Sequence, residues 1–506
     1  MSLSVSPVAA PACRGFGERS NEAVRRRKHR LRPSAEALEA RECPSGAGAA
    51  APPGLAESAH AIPVAQVEAR QVRVEIRHEA SLARQVRLAE IRHEELLARR
   101  LQKRPVKGAP STIYVAARGR ISPAAGKNAA RPLGSLAVAL KRAKNGSTIV
   151  LAPGTYTQAV GLSGKSGITI VGDANGSSVL AGAGAFALKV YSSSGITLQN
   201  LTIRTSSGSG LAVVGSSVNL VNVNASGNQT GGVVINGGGS VNATGSHFDS
   251  TQSGDGMDVQ SGTAILNNCT FNGNGGVSSG TGLSVENGSQ VTIVNSQLVG
   301  NLNANLVAYN QAQVTATGSS FSASRQGDGA LFSGQVNVNL SGDTFAGNGS
   351  VRGYVSGFNG IEFLHFTGAG SVTGSTFANN TANGIFVGGS SQTLSVTGNT
   401  FSGNLVGLNI DGSVGTASAV IQGNTFTTSA NSGDQGFVAD GSNVNATIGG
   451  TGTLANTFAN YAYQRSILQY NSSATSTVGC PVLTINTNDY TVNGVFEDPS
   501  QGILPC

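Results

Sequence analysis

The chain has 506 residues with 70 glycines, no tryptophan and only 12% charged residues, which argues against a row of ordinary packed domains and for something repetitive. The net charge of +7 is uneven: residues 1–110 hold 20 Lys/Arg against 12 Asp/Glu, and residues 111–506 hold 13 against 14. Basicity therefore belongs to the N-terminal fifth, and the nearly neutral remainder, with no lysine after Lys189, is not a nucleic-acid binder.

The first 24 residues lack the apolar core of an ordinary signal peptide. Residues 25–45 read RRRKHRLRPSAEALEARECPS, a basic cluster followed by Glu36, Leu38, Glu39, Arg41 and Pro44-Ser45. This resembles the LEPR-type sorting segment that some bacteria place on extracytoplasmic proteins, and the resemblance implies an extracellular or cell-surface location. An Ala/Pro/Gly-rich linker closes the segment 1–63. Residues 64–110 then repeat ARQVR at 69 and 83 and EIRHE at 75 and 90. The 14-residue offset is two heptads, so a charged amphipathic helix is expected, with Val72, Ile76, Val86 and Leu97 on one broad face.

From Ser111 the text changes. STIYVAARG reads as a strand, Ser135 can cap a helix whose apolar face is Leu136, Leu140 and Ala143 and which stops at Gly146, and TIVLAPGTYT reads as a second strand. The order strand, helix, strand over PLGSLAVALKRAKNGSTIVLAPGTY resembles the N-terminal cap of the pectin-lyase-like β-helix superfamily. Residues 111–160 are expected to form that cap, which shields the open end of a stacked core.

A phrase of glycine, apolar, any, apolar begins at Gly210, Gly232, Gly256, Gly282, Gly329, Gly360, Gly384, Gly407 and Gly436, with Asn305 filling one slot. Interleaved with it, at the same period near 24, run SHF, CTF, SSF, DTF, STF and NTF triplets that put eight of the seventeen phenylalanines in one register. Such a period is too short for a propeller blade and holds no helix for a leucine-rich or ankyrin repeat, so stacked coils remain. Each Phe then stacks on the next, and Asn274, Asn348, Asn380 and Asn404, each three residues after a Phe, fall where a turn ladder would run. The glycines are expected to serve turns with positive φ.

GNTFSGNLVGLNI (398–410) resembles the parallel β-helix repeat of the same superfamily. The expected fold class is all-β, a single-stranded right-handed parallel β-helix of about eleven coils at 161–480. It carries an N-terminal helix cap, a C-terminal cap segment at 481–506 and a mostly disordered or helical N-terminal extension; the handedness follows from the resemblance.

Chemistry must sit on the outward positions of the glycine-led strands, which form two columns on one face. The first runs Ala212, Val234, Asp258, Ser284, Val307, Leu331, Glu362, Phe386, Asn409, Val438; the second Val214, Asn236, Gln260, Glu286, Tyr309, Ser333, Leu364, Gly388, Asp411, Asp440. Asp258 and Glu286 lie one coil apart and two residues offset, about 8 Å on strand geometry. That spacing suits an inverting glycosidase pair and makes them the candidate catalytic residues. Gln260, Tyr309, Glu362 and Asp411 are the candidate substrate-binding residues.

The five cysteines form no CxxC and have no neighbouring histidine, so neither zinc nor a cofactor is expected, and calcium is the one cation such a face could take. Cys480 and Cys506 bracket the last segment and could pair. No apolar run is long enough to span a membrane. The superfamily holds pectate and pectin lyases, polygalacturonases, epimerases, tailspikes and non-catalytic surface proteins. The signature acids and bases of its lyases and polygalacturonases are missing here, and from Thr205 onward the only cations are Arg325, Arg352 and Arg465. The expected partner is accordingly a polysaccharide or cell-envelope component, neutral rather than polyuronic, met by an exported β-helix face without strong catalysis. The competing reading is a glycoside hydrolase using Asp258 and Glu286.

Overall fold

The computed structural model describes residues 111–276, 279–349, 358–390, 392–413, 415–428, 434–440, 443–449 and 452–460, and the backbone of the strands at 467–470, 482–485, 490–492 and 495–496. The sorting segment, the linker, the charged stretch, the cysteines 13, 43, 480 and 506, and Arg352 and Arg465 lie outside the described residues.

The described chain opens with the strand Thr112–Arg120 and the helix α1 (Leu136–Arg142). Ser135 caps α1, its Oγ accepting from Val138 N at 3.3 Å, and Lys141 and Arg142 close the last turn where the helix dipole favours cations. Leu136, Ala139 and Leu140 are buried, as the apolar spacing requires. The strand Thr148–Leu151 then pairs in parallel with Thr112–Arg120.

Beyond this cap the chain winds into a right-handed parallel β-solenoid of about twelve turns. Its strands fall into a 15-stranded sheet (A), strips of nine and three strands (B), and a 13-stranded sheet (C). Among the described strands the one antiparallel pairing is 490–492 with 495–496. Each coil contributes its strands and turns into the next coil, so the strands of a sheet hydrogen-bond only to copies of themselves above and below.

The sheet B triplets build the core. Phe321, Phe345, Phe377, Phe401, Phe426 and Phe458 form an unbroken stack with ring centroids 4.6 to 5.0 Å apart. Phe248 and Phe271 form a separate pair, because Leu298 takes the Phe position in the intervening coil. That substitution hides one coil from a search for the triplet.

Beside the rings runs the asparagine ladder. Asn348 Nδ2 donates to Asn380 Oδ1 at 2.8 Å, and Asn380 Nδ2 to Asn404 Oδ1 at 2.9 Å. One rung is irregular: the ladder position three residues after Phe321 is Ser324, too short to reach. Asn305, the residue that replaces a glycine in the repeat phrase, supplies the missing amide. It accepts from Asn301 Nδ2 at 2.7 Å and donates to Asn348 Oδ1 at 3.2 Å. The two exceptions to the repeat therefore compensate one another.

The turn glycines take positive φ as expected, and the phrase-initial glycines form a separate class. Positive φ occurs at corner residues such as Asn222 (52°) and Gly398 (66°), whereas Gly384 and Gly407 are not among the positive-φ glycines. Their reason is space. A Cβ on Gly384 would stand 2.5 Å from the carbonyl oxygen of Gly407 and 2.7 Å from the Phe401 ring.

Candidate functional site

Sheet C carries the two outward columns, and its register places them as the alternation requires. Val234 pairs with Asp258, Asp258 with Ser284, and Ser284 with Val307. Two residues on, Asn236, Gln260, Glu286 and Tyr309 follow in the second column, since Val259 pairs with Val285 and Val285 with Ala308. Tyr309 pairs with Ser333, and Gly388, Asp411 and Asp440 complete the series.

Asp258, Gln260, Glu286 and Tyr309 thus share one patch on three successive coils. Glu362 lies four coils beyond Asp258 and Asp411 six beyond Gln260, about 19 and 29 Å away at roughly 4.8 Å per coil. The fold therefore gathers four of the six candidates and leaves two apart. Asp411 accepts from Ser413 N at 2.8 Å, a local turn contact.

These columns were expected to be a solvent-exposed face, and there the structure differs. Asp258 is 6% exposed, Gln260 4%, and Glu286 and Glu362 8% each. Tyr309 and Asp411 are half-buried. Outward direction alone does not cause this, because Ile265, outward on sheet A, is 51% exposed.

Inside the patch, Gln260 Nε2 donates to Asp258 Oδ2 at 2.9 Å, and Asn287 Nδ2 reaches Glu286 Oε2 at 3.4 Å. Gln260 Oε1, Asn236 Oδ1 and Ser284 Oγ are buried with no hydrogen-bond partner. Burying such groups unpaired costs on the order of 1–3 kcal/mol each, so the patch wants donors. Asn236 and Ser284 were not singled out in the sequence; their only signal was membership of the columns.

The acids in the turns are structural. Asp255 accepts from Thr281 N at 2.8 Å, Asp328 from Asn359 N at 2.8 Å, and Asp434 from Thr428 Oγ1 at 2.7 Å. His365 has φ 48° and follows the outward Leu364.

A second polar group has no counterpart in the sequence reading. On the outer side of the sheet B triplets, Thr270 Oγ1 donates to Asp249 Oδ2 at 2.7 Å and lies 2.8 Å from His247 Nδ1. With its proton committed to Asp249, the hydroxyl can only accept from His247. The neutral imidazole therefore carries its proton on Nδ1, leaving Nε2 as an acceptor on an exposed ring.

Arg325 sits in a turn outside the columns and donates to Asn274 O at 3.4 Å. Among the described residues no three His, Cys, Asp or Glu come together as metal ligands, and no helix is long and apolar enough to cross a membrane.

Comparison with solved structures finds likenesses at low identity. A pectate lyase, Pel9A, is 19% identical over 67% of this chain and 79% of its own, with a TM-score of 0.35. A PL6 alginate lyase solved with a trisaccharide is 11% identical over 78% and 98%, TM-score 0.36. The catalytic unit of a GH87 α-1,3-glucanase from Streptomyces thermodiastaticus strain HF3-3 is 15% identical over 79% and 72%, TM-score 0.31. At these scores the likeness does not extend to a site or a substrate. A search of the curated proteins gives no match. The family model described as the right-handed beta helix region matches residues 166–321 and 281–451, which together run over more than half of the 506 residues. With the parallel ladders seen in all three sheets, this places the chain in the right-handed β-helix family.

Proposed function

We infer that this is an exported or surface-displayed β-helix protein whose sheet C face, from Ala212 to Asp440, holds a polysaccharide or cell-envelope glycan by hydrogen bonds without turning it over. One observation carries the reading: Asn236 Oδ1, Gln260 Oε1 and Ser284 Oγ are buried acceptor atoms without partners on adjacent coils, beside two carboxylates and Tyr309. Sugar hydroxyls are donors at spacings that a ladder of coils can match, and the Tyr309 ring offers a sugar a flat apolar surface.

The diagonal of about 8 Å between Asp258 and Glu286 keeps an inverting hydrolase in view. Against it, such a pair must admit water between acid and base, and both side chains are closed to bulk solvent while Asp258 is engaged by Gln260.

Affinity electrophoresis of the full chain through neutral and polyuronic polysaccharides separates the readings. Retention by a neutral glycan, weakened about tenfold (~1.4 kcal/mol) by Gln260→Ala or Tyr309→Ala, is expected, with no release of reducing ends. No retention by any glycan, or equal retention in the variants, refutes glycan binding. Reducing-end release abolished by Glu286→Gln would establish the hydrolase instead.

A further inference from the structure

The near-neutrality of residues 111–506 hides a split along the solenoid. Residues 111–204 hold ten Lys/Arg and one acid, Asp173, whereas residues 205–506 hold three Lys/Arg and thirteen Asp/Glu. We propose that the N-terminal cap is a docking surface for anionic lipid headgroups, on which the solenoid stands end-on with the sheet C face held clear of the membrane.

The cations gather on the terminal layer. The strand Thr112–Arg120 is the end strand of sheet A, and the segment 121–134 lies along its outer edge: Tyr114 N donates to Gly126 O at 2.9 Å, Arg120 N to Pro132 O at 3.2 Å and Gly134 N to Arg120 O at 3.1 Å. Arg118, Arg120, Lys127, Arg131 and Lys141 are exposed on this layer, and residues 111–172 contain no Asp or Glu. Arg142 ties α1 to the segment, donating to Ala125 O at 3.2 Å and Ser122 O at 3.1 Å. Charges often guard a sheet edge against pairing, but here the segment already takes up edge hydrogen bonds, so guarding it does not account for five cations.

The surface is not purely basic. Ile121 is 69% exposed and follows Arg118 and Arg120 in the chain, and Pro123, Ala124, Ala129 and Ala130 are exposed in the same segment. A soluble acidic polymer gives an exposed isoleucine nothing, whereas a bilayer offers headgroup charge to the cations and an acyl boundary to the apolar groups at one surface. A second copy fits less well, since the acids of residues 205–506 are spread along the coils and Asp255, Asp328 and Asp434 are committed to turns.

Distance makes the two charges act separately. Ser284 lies on the sixth strand of sheet C, five steps of roughly 4.8 Å, or about 24 Å, along the solenoid from its first strand, which is about three Debye lengths at physiological salt. The acidic coils therefore do not cancel the field at the cap. An anionic plane repels them instead, which turns the cap toward it and sheet C away. Each Lys or Arg near such a plane strengthens binding by roughly fivefold.

Co-sedimentation of the full chain with vesicles of phosphatidylcholine containing one third phosphatidylglycerol tests this, and since the vesicles carry no glycan the result is independent of what sheet C binds. Binding is expected to these vesicles at low salt and not to phosphatidylcholine alone. Arg118→Glu, Arg120→Glu, Lys127→Glu and Arg131→Glu combined should weaken it by roughly a hundredfold or more, while reversal of Arg25, Arg26, Arg27 and Lys28 should weaken it by less than about tenfold. Circular dichroism checks that the reversed cap folds. A second measurement leaves the cap charges intact: in a Cys13→Ser, Cys43→Ser, Cys480→Ser and Cys506→Ser background, a nitrobenzoxadiazole label on Ile121→Cys should brighten and shift to the blue on the anionic vesicles. A label on Ile265→Cys, outward on sheet A and 51% exposed in the parent, should not. The proposal is overturned by an equal loss on reversing 25–28, by a silent label at 121 or an equal response at 265, or by cap-dependent retention in polygalacturonate without vesicle binding, which would make an acidic polymer the occupant.

Discussion

The inner ladders beside sheet B and the outer columns of sheet C are built on the same rise per coil, yet they differ in what the repeat is for. Inside, one residue type recurs: Phe on Phe at 4.6 to 5.0 Å and Asn on Asn at 2.8 to 2.9 Å, each rung satisfied by the next. Outside, no two coils present the same pair, and acceptors are left over. Recurrence marks what holds the solenoid together; the outer columns do not recur, yet several of their side chains are buried.

The largest effect should come from breaking the ring stack. Phe401 is fully buried between Phe377 and Phe426. Phe401→Ala should cost about 3–5 kcal/mol in denaturant or thermal unfolding, since the cavity cannot collapse against rigid neighbouring coils. A loss below about 1 kcal/mol would show that the column is not the core's main support.

Asp343 sharpens the comparison, being an acid in an inner column otherwise made of Ser, Cys and Asn. It accepts from Ser319 N at 2.7 Å and Ser341 N at 3.1 Å, but burial dominates and pushes its carboxyl up to about 6. An acid raised in the folded state favours folding fully below its unfolded value near 3.8. That contribution is lost as pH rises through about 6. Asp343→Asn, the residue already present at Asn399 and Asn424, should therefore abolish this loss and be more stable than the parent at pH 7, by on the order of 3 kcal/mol. The gap should close toward pH 4. Equal melting of the two proteins across that range would refute the burial argument.

The irregular rung gives a smaller but more specific test. Asn305→Gly leaves the amides of Asn301 and Asn348 short of partners and should cost about 1–3 kcal/mol. Adding Ser324→Asn should restore most of it, because the pair then returns to the ordinary pattern of glycine and asparagine. Additive losses in the double variant would show that the two exceptions are independent.

The smallest effect lies on the outer side of sheet B. Thr270→Val removes the acceptor that fixes the His247 tautomer. Nitrogen NMR should shift from an Nδ1-protonated ring toward the tautomer mixture of a free imidazole, with stability changed by no more than about 1 kcal/mol. An unchanged tautomer would remove Thr270 as its cause.

The repeat phrases, the Ser135 cap and the register of both outward columns were readable because each is a local or strictly periodic consequence of the chain. Period two sets the face, and period 24 sets the stack. Only the Phe marker of the coil with Leu298 was missing from the triplets, by its one substitution, while the glycine phrase still recorded that coil.

What only the tertiary structure decided is how each position is surrounded. Sequence shows that Gly384 must be small, and the fold shows that the cause is the Gly407 carbonyl and the Phe401 ring rather than a positive φ. Sequence put Asp258, Gln260 and Glu286 on one face, but could not show that they are buried, that Gln260 is bonded to Asp258, or that acceptor atoms beside them lack donors. It likewise gave no sign that Asn305 and Ser324 compensate, or that His247, Asp249 and Thr270 meet. Alternation along a strand fixes direction, a property of a few neighbouring residues; burial and hydrogen-bond balance depend on chain brought in from one coil away or further, where no short pattern records it.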